Sequence, residues 1–171
     1  MTILDLNDVS KSFGALKVTD AVSFSVPRGQ ALGIIGPNGA GKSTLFNLIT
    51  GNIMPDTGRI TLLGQDVTRR PAMDRVRMGV GRSFQIPQPF EGLTVYENLA
   101  VAASFGQGKS EAAVTDDCIR ILHDTELMRL ANTPAGALSL LDRKRLELAR
   151  AMATGPELLL LDEIAGGLTE G

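Results

Sequence analysis

Residues 36–44 constrain this chain more than any other stretch. They read Gly-Pro-Asn-Gly-Ala-Gly-Lys-Ser-Thr and match the phosphate-loop pattern G-x-x-x-x-G-K-S/T at every position. The preceding residues 30–35 predict a short buried strand, and residues 42–50 predict a helix with Gly51 just past its end. A chance match is expected in about one chain in a hundred of this length, before the flanking elements are counted. We therefore interpret the stretch as a nucleotide-binding loop.

The order strand, loop and helix is the one that phosphate binding requires. Glycines let the backbone turn tightly and bring N–H groups against phosphate oxygens, and the helix N-terminus adds a partial positive charge. The Lys42 ammonium is expected to reach the β- and γ-phosphates, and the Ser43 hydroxyl is expected to ligate Mg2+. The predicted nucleotide-binding residues of the loop are Gly36, Asn38, Gly39, Ala40, Gly41, Lys42, Ser43 and Thr44.

Composition narrows the class of protein. With 171 residues, 43% of them hydrophobic, the chain is long enough for a substantial core. The net charge of -2 supplies no overall field that would attract nucleic acid. The single cysteine, Cys118, excludes an internal disulfide and suits a reducing cytoplasm. The N-terminus lacks a signal-peptide pattern and no apolar run approaches the ~20 residues of a spanning helix, so work at a membrane would go through a partner.

Periodicity predicts an α/β protein with two parts. Residues 2–35 alternate short β-like runs with turns, and the period-two pattern of Val22, Phe24 and Val26 predicts a half-buried antiparallel strand. Further strands are predicted at residues 59–63 and 78–84, and short or longer helices at residues 71–77, 94–104, 110–123 and 143–153. We expect a nucleotide-binding α/β core with a β-subdomain at residues 1–85 and 157–171. The helical insertion is expected at residues 86–156.

A run of four leucines at residues 158–161 leads into Asp162 and Glu163. A fully apolar run is typical of a buried parallel strand, and ligands bind at the carboxyl ends of such strands. Asp162 is therefore expected to hold Mg2+, and Glu163 to orient or deprotonate the water that attacks the γ-phosphate. An ordinary strand end with solvated acids is the alternative, which the upstream phosphate loop disfavours.

Taken with the phosphate loop, further motifs resemble those of the ATP-binding cassette (ABC) ATPases. They are Ser12-Phe13-Gly14, Ser83-Phe84-Gln85, Leu93-Thr94-Val95-Tyr96-Glu97-Asn98-Leu99, Leu138-Ser139 ahead of a basic helix, and the strand ending in Asp162-Glu163. Within that family, these motifs are most similar to those of the subunits that power uptake of branched-chain amino acids. The resemblance implies a phosphate-loop NTPase fold with a RecA-like core, an antiparallel β-subdomain and an inserted helical subdomain, truncated after the Walker B strand.

The resemblance also implies cofactors and roles. ATP and Mg2+ are the expected ligands, with Phe13 stacking on adenine and Gln85 contacting Mg2+ and the attacking water. Ser139 matches the signature serine, which faces the γ-phosphate bound by a second subunit. The expected catalytic residues are thus Glu163, Lys42 and Gln85, and the expected metal ligands are Ser43, Gln85 and Asp162.

Several residues depart from the family pattern. Leu141 stands where the signature has a glycine, Ile164 replaces the usual proline, and Thr169 replaces an Asp or Asn. The histidine that senses the γ-phosphate in the family would follow a later strand, and His123 does not match it. We expect a truncated subunit whose isolated chain is weakly active or inactive.

Three functions remain open on the sequence alone. The favoured one is an ATPase subunit that works with a second ATP-binding subunit and membrane permease subunits, in the cytoplasm on the inner face of the membrane. The second is a fragment that binds nucleotide without appreciable turnover. The third is an ABC-type ATPase of DNA maintenance, disfavoured because the cluster Arg143, Lys144, Arg145 and Arg150 reads more simply as a solvated helix face beside Glu147.

Overall fold

The computed structural model describes residues 1–84 and 86–162. The chain divides into two compact units, Met1–Met78 and Gly79–Gly171. The first contains β1 (Thr2–Phe13), β2 (Leu16–Pro27), α1 (Lys42–Thr50), β3 (Thr57–Leu62), β4 (Gln65–Asp66) and α2 (Ala72–Arg77). The second contains β5 (Val80–Arg82), α3 (Val95–Gln107), α4 (Glu111–Asp124), 3-10 turns at Met128–Leu130 and Ala135–Ala137, α5 (Leu140–Ala153) and β6 (Leu158–Leu160). The domain boundary expected after residue 85 stays a prediction.

The first unit is built on an antiparallel sheet with strand order β2-β1-β3-β4. The short β-like runs of the sequence merge into two long strands, and within residues 22–26 of β2 the side chains of Val22, Phe24 and Val26 are less exposed than those between them, as their alternation predicts. Asp8 lies at a break in the ladder register with a φ of 49°, and its backbone N–H donates to Ser23 Oγ at 2.8 Å. This side-chain bond replaces a lost ladder bond and keeps β1 continuous.

Helix α1 has the bounds that the sequence predicts, from Lys42 to Thr50 with Gly51 as its C-cap. Arg75 of α2 is fully buried and donates to the carbonyl oxygens of Leu48 (2.7 Å) and Ile49 (2.9 Å) in the last turn of α1. Burial lowers the pKa of Arg75 to about 10. The arginine satisfies carbonyl groups that a helix leaves without intrahelical partners, and thereby fixes α1 against α2.

The strand expected at residues 30–35 is absent, and that prediction is wrong. These residues adopt no regular secondary structure, Ile35 is 98% exposed and Leu32 is 52% exposed. The apolar pattern fits a parallel core strand, but a strand needs a neighbour to complete its ladder of hydrogen bonds. Among the described strands none pairs with this stretch. The segment therefore leads into the phosphate loop as an extended, solvent-facing connection.

The second unit is organised around α3, α4 and α5. Thr94 and Glu97 form the predicted capping box at the start of α3, with the Thr94 side chain accepting from the Glu97 N–H. The three helices bury one apolar cluster, which includes Val95, Leu99, Val114, Cys118, Ile121, Leu122, Leu127 and Leu146. Each fully buried leucine stabilises such a core by about 2 kcal/mol. Helix α5 begins at Leu140, not at residue 143, because Ser139 supplies an N-cap upstream of the basic residues.

Strands β5 and β6 pair in parallel, with Val80 opposite Leu158 and Arg82 opposite Leu160. Three residues of the four-leucine run, Leu158–Leu160, thus form the predicted parallel strand, and Leu161 lies beyond it and is exposed. Because parallel strands end at the same edge of a sheet, the residues that follow β5 and β6 lie side by side. The Ser83 N–H donates to the Leu160 carbonyl oxygen at 3.0 Å and extends the pairing by one step toward Asp162.

Candidate functional site

The phosphate loop has a backbone that its glycines determine. Gly39 and Gly41 have φ values of +83° and +87°, in the left-handed region that disfavours other residues. A Cβ on Gly41 would lie 2.8 Å from the Val18 carbonyl oxygen, whereas a Cβ on Gly39 would meet nothing within 4 Å. Position 41 therefore needs glycine for two reasons, its φ and its close approach to β2. This approach places the start of α1 against β2.

The N-terminus of α1 is open to an anion. Its N-cap is Gly41, no side chain caps it, and no acidic residue lies in its first turn. The hydrogen bond that closes the first turn of α1 runs from the Leu45 N–H to the Gly41 carbonyl oxygen at 2.9 Å. The amides of the first turn and the helix dipole therefore offer positive partial charge to a ligand. The loop residues Asn38, Gly39 and Ala40 are exposed, so a ligand can reach them.

Lys42 turns back over the loop that precedes it. Its ammonium donates to the carbonyl oxygen of Gly36 and, at 2.9 Å, to that of Pro37. The Ala40 N–H donates to the same Pro37 carbonyl at 3.2 Å and closes the turn. The charge of Lys42 thus lies on the concave side of the loop, where a bound phosphate would need it.

Phe13 lies at the end of β1 and is half exposed. It pairs with Leu16 of β2, two residues before Val18, the residue that Gly41 approaches. Two residues along a strand span about 7 Å, so the ring and the phosphate loop share one edge of the first unit. The Lys11 ammonium lies 5.6 Å from the ring centroid. An exposed flat ring at this place is compatible with stacking on a base.

Asp162 follows β6 in the second unit and is buried. Its carboxylate Oδ2 lies 3.3 Å from Nη2 of Arg82, and its backbone N–H donates to Ser83 Oγ at 3.2 Å. Both partners come from the end of the neighbouring strand β5 and from the residue after it. A carboxylate oxygen suits Mg2+, and so does the Ser43 hydroxyl in the first unit. Among the described residues no three His, Cys, Asp or Glu side chains cluster, so a metal held here would take further oxygens from the nucleotide and water.

Ser139 is the N-cap of α5 and is engaged locally. Its hydroxyl accepts from the Asp142 N–H at 3.1 Å and donates to Asp142 Oδ2 at 2.7 Å. Leu140 and Leu141 follow it in the first turn and are exposed, Leu140 at 68%. This helix start therefore presents a carboxylate and two leucines, and the Ser139 hydroxyl satisfies one of its amides, that of Asp142, from within the chain.

Several predicted residues lie outside the described part of the chain. They are Gln85, Glu163, Ile164 and Thr169. Within the described part, the structure brings Phe13 and the loop residues 36–44 to one edge of the first unit. It places Asp162 and Ser139 in the second unit, at the end of β6 and the start of α5. The roles assigned to all these residues stay predictions.

The sequence alone did not single out two arginines that contact the predicted site elements. Arg75 holds the C-terminal end of the phosphate-loop helix, and Arg82 is paired with Asp162. Arg82 at the end of the short strand β5 is a usable signal, because a charge that is buried there must find a partner at the sheet edge. The arginines of the basic cluster are ion-paired: Arg143 with Glu91 (3.4 Å), Arg145 with Glu126 (2.8 Å) and Arg150 with Glu147 (3.3 Å).

A glycine-capped phosphate loop on an α/β scaffold, with a parallel strand that ends in a carboxylate, defines the class of phosphate-loop nucleotide-binding proteins. Residues 19–166 match the protein family described as ABC transporter. A probable ABC transporter ATP-binding protein of Azorhizobium caulinodans is 39% identical over 94% of the chain. A probable branched-chain amino acid transport ATP-binding protein, LivG, of Methanocaldococcus jannaschii is 36% identical over all of it. The chain belongs to the ABC transporter family.

The solved structures agree with this assignment. An ATP-binding cassette of an ABC transporter in its ADP conformation superimposes with a TM-score of 0.85 at 36% identity, covering 98% of this chain and 70% of that one. The predicted fold class is thereby confirmed. The chain spans 57% of the length of the Azorhizobium relative and 71% of the Methanocaldococcus one. Within its described residues, no helix is long and apolar enough to cross a bilayer.

Proposed function

We propose that this chain is the nucleotide-binding part of a transporter ATPase, which binds ATP with Mg2+ and hydrolyses it to power solute uptake through a membrane permease. The observation that carries the proposal is the open N-terminus of α1, capped by Gly41 and faced by Lys42. A helix start with no side-chain cap and no acid in its first turn is suited to a polyphosphate. Membership of the ABC transporter family supports the same assignment.

Each predicted site residue within the described part of the chain has a proposed role. Lys42 would exchange its loop carbonyl partners for the β- and γ-phosphates, and the amides of residues 39–44 would hold the phosphate oxygens. Phe13 would stack on adenine. Ser43 and Asp162 would hold Mg2+, which when bound neutralises charge on the β- and γ-oxygens.

The remaining catalytic tasks fall on residues outside the described part. Glu163 would orient the attacking water or take its proton, as a carboxylate directly after the strand that carries Asp162 can do. Gln85 would contact the metal and the water, and it begins the connector that leads to the helices of the second unit. We propose it as a hinge through which phosphate contact moves those helices.

The proposed partners are a second ATP-binding subunit and permease subunits, with the chain placed in the cytoplasm on the inner face of the membrane. The relatives support a transport role through their names, and LivG supports branched-chain amino acids as the solute class. A role for nucleic acid is not proposed, because the arginines of the basic cluster are engaged in ion pairs.

A comparison of ATP binding with phosphate release tests this function. In a full-length assembly with the second ATP-binding subunit and the permease, Glu163→Gln should leave ATP affinity unchanged within about twofold and should lower phosphate release by at least about a hundredfold. Glu157→Gln, a change of the same kind at the start of the same strand segment, is the matched control. Undiminished hydrolysis in Glu163→Gln would remove the proposed role of that residue, and a wild-type chain that binds no ATP would overturn the proposal.

A second candidate is a chain that binds ATP but barely hydrolyses it. The observation that favours it is the start of α5, where the Ser139 hydroxyl is bonded to Asp142 and the exposed Leu141 stands where the family pattern has a glycine. A carboxylate and bulky side chains would oppose the approach of a γ-phosphate bound to a second subunit. Tight ATP binding without measurable phosphate release in the wild-type chain would favour this candidate over the first.

A further inference from the structure

Arg82 and Asp162 form an ion pair at the edge shared by β5 and β6. Their side chains are each 9% exposed, and Arg82 Nη2 lies 3.3 Å from Asp162 Oδ2. Strand pairing brings them together, because Arg82 is the ladder partner of Leu160, two residues before Asp162. The Ser83 hydroxyl accepts from the Asp162 N–H at 3.2 Å and fixes the backbone of that residue. The contact is therefore built into the sheet.

A buried carboxylate needs a positive charge nearby. Removing an ionised carboxylate from water costs several kcal/mol unless a cation or donors compensate it, and the loss of one partner leaves the other charge uncompensated. Arg82 supplies this compensation to Asp162 in the structure. A divalent cation that bound the same carboxylate would compensate it as well. The two cations therefore compete for one group.

The guanidinium contacts the Phe84 ring while it is paired with Asp162. The Arg82 guanidinium carbon lies 5.2 Å from the centroid of the Phe84 ring, and that ring is half exposed. A guanidinium over an aromatic face is stabilised by cation–π attraction. Arg82 can thus leave Asp162 and keep a favourable contact. Phe84 lies two residues before the connector at residues 86–90, so a movement of Arg82 would act close to the start of that connector.

We propose that Arg82 is a positioning residue that holds the Asp162 carboxylate in place until a divalent cation displaces it, after which the Phe84 ring retains the guanidinium. The inference rests on the proposed function, since the cation arrives with the nucleotide. It predicts that Arg82 weakens metal binding. It also predicts that a metal bound to Asp162 changes the contact between Arg82 and Phe84, the residue that leads toward the connector.

The first test examines the ion pair without nucleotide or metal. Chemical unfolding of wild type, Arg82→Met, Asp162→Asn and the double variant forms a double-mutant cycle. Each single change should raise the unfolding equilibrium constant, and the double change should cost less than the sum of the two, with a coupling of at least about tenfold. A coupling below about twofold would overturn the proposal whether or not the chain binds ATP.

The second test measures metal affinity directly. Mn2+ prefers the same oxygen ligands as Mg2+, and its electron paramagnetic resonance signal reports free ion in the presence of saturating ATP. After subtraction of Mn2+ bound by ATP alone, Arg82→Met should bind Mn2+ about fivefold more tightly than wild type. Arg82→Lys restores the charge and should return the affinity to within about twofold of wild type. Arg120→Met, at an exposed arginine paired with Asp117 in α4, is the matched control and should cause no change.

The outcomes separate this inference from the proposed function. ATP affinity measured in excess EDTA tests nucleotide binding alone, and Arg82→Met should leave it unchanged within about twofold. If the wild-type chain bound no ATP, the proposed function would fail. The double-mutant cycle would still show whether Arg82 and Asp162 are coupled. Unchanged or weaker Mn2+ binding in Arg82→Met, with ATP affinity intact, would show that Arg82 does not compete with the metal and would overturn the inference.

Discussion

Helices α1 and α5 both begin close to a predicted nucleotide contact, but they begin in opposite ways. Helix α1 starts from a glycine in the left-handed region, with no side-chain cap and no acidic residue in its first turn. Helix α5 starts from Ser139, whose hydroxyl is bonded to Asp142 in the first turn. The first N-terminus leaves its dipole and amides to a ligand, whereas the second has one amide bonded to its own cap and an acidic residue in its first turn.

A helix N-terminus can therefore contribute to ligand binding or to the stability of its own helix, but less readily to both. A capping side chain stabilises the helix and occupies the donors that an anion would use. Changes at the start of α1 should therefore alter ATP affinity most, and changes at the start of α5 should alter the free energy of unfolding. The following predictions test this contrast.

The largest effect is expected for Lys42→Ala. Removal of the ammonium takes away charge-assisted hydrogen bonds to phosphate, worth about 1.5–3 kcal/mol each. ATP affinity should fall by roughly a hundredfold, while the free energy of unfolding should change by less than about 0.5 kcal/mol. Calorimetric titration and urea unfolding measure the two quantities.

Lys109→Ala is the matched control for that change. Lys109 is an exposed lysine whose ammonium donates to Gln107 Oε1 at 2.8 Å between α3 and α4. Its removal should leave ATP affinity unchanged. If Lys42→Ala also left affinity unchanged, the α1 N-terminus would lose its proposed role and the contrast with α5 would fail.

The next effect separates the two left-handed glycines of the loop. Gly39→Ala meets only the backbone strain of a positive φ, about 1–2 kcal/mol, because a Cβ there contacts nothing within 4 Å. Gly41→Ala meets the same strain and places its Cβ 2.8 Å from the Val18 carbonyl oxygen. Urea unfolding should show that Gly41→Ala is destabilised by at least about 1 kcal/mol more than Gly39→Ala. An equal loss of unfolding free energy in the two variants would mean that β2 moves to accommodate the added Cβ.

The elements that the sequence predicts best are those determined by nearby residues. Helix α1 ends at Gly51 and α3 begins at a Thr94–Glu97 capping box, because the signals lie within one turn of the helix end. The strand β6 follows from four apolar residues in a row, and the phosphate loop follows from its own glycines. The family, and with it the fold class, is predictable because several such motifs occur in one order.

Features that depend on distant partners could not be predicted. Residues 30–35 have the composition of a buried strand, but a strand exists only when another strand completes its hydrogen bonds. The burial of Arg75 depends on carbonyl groups of α1, 26 and 27 residues earlier in the chain. The pairing of Arg82 with Asp162 depends on the parallel register of β5 and β6 across 80 positions. Each of these contacts requires knowledge of the tertiary structure.

A smaller effect is expected at the start of α5. Ser139→Ala removes the acceptor for the Asp142 N–H and the donor to its carboxylate, and loss of an N-cap costs about 1 kcal/mol. Urea unfolding should show this loss, while the ATP affinity of the isolated chain should stay within about twofold of wild type. Ser110→Ala is the matched control, because Ser110 is the N-cap of α4 but makes no side-chain capping bond there, so its loss should be smaller. A fall in ATP affinity in Ser139→Ala would mean that this terminus also serves the nucleotide bound by the same chain.

The smallest effect concerns pH and the start of α3, which resembles α5 in carrying an acid that bonds to its own helix start. Hydrogen bonds from the Thr94 N–H and side chain hold the pKa of Glu97 below its ordinary value of 4.5. Because the folded state binds this proton less readily than the unfolded state, Glu97 stabilises the fold above about pH 4.5, and the stabilisation is lost as the pH falls through the lowered pKa. Glu97→Gln should therefore be less stable than wild type at pH 7 and should approach it at pH 3, in urea unfolding at both pH values. Glu111→Gln, in the first turn of α4 where no capping box forms, should show a smaller change with pH. A difference between Glu97→Gln and wild type that did not shrink on acidification would show that the carboxylate acts through its shape and not through its charge, and the contrast with the acid-free start of α1 would then need another cause.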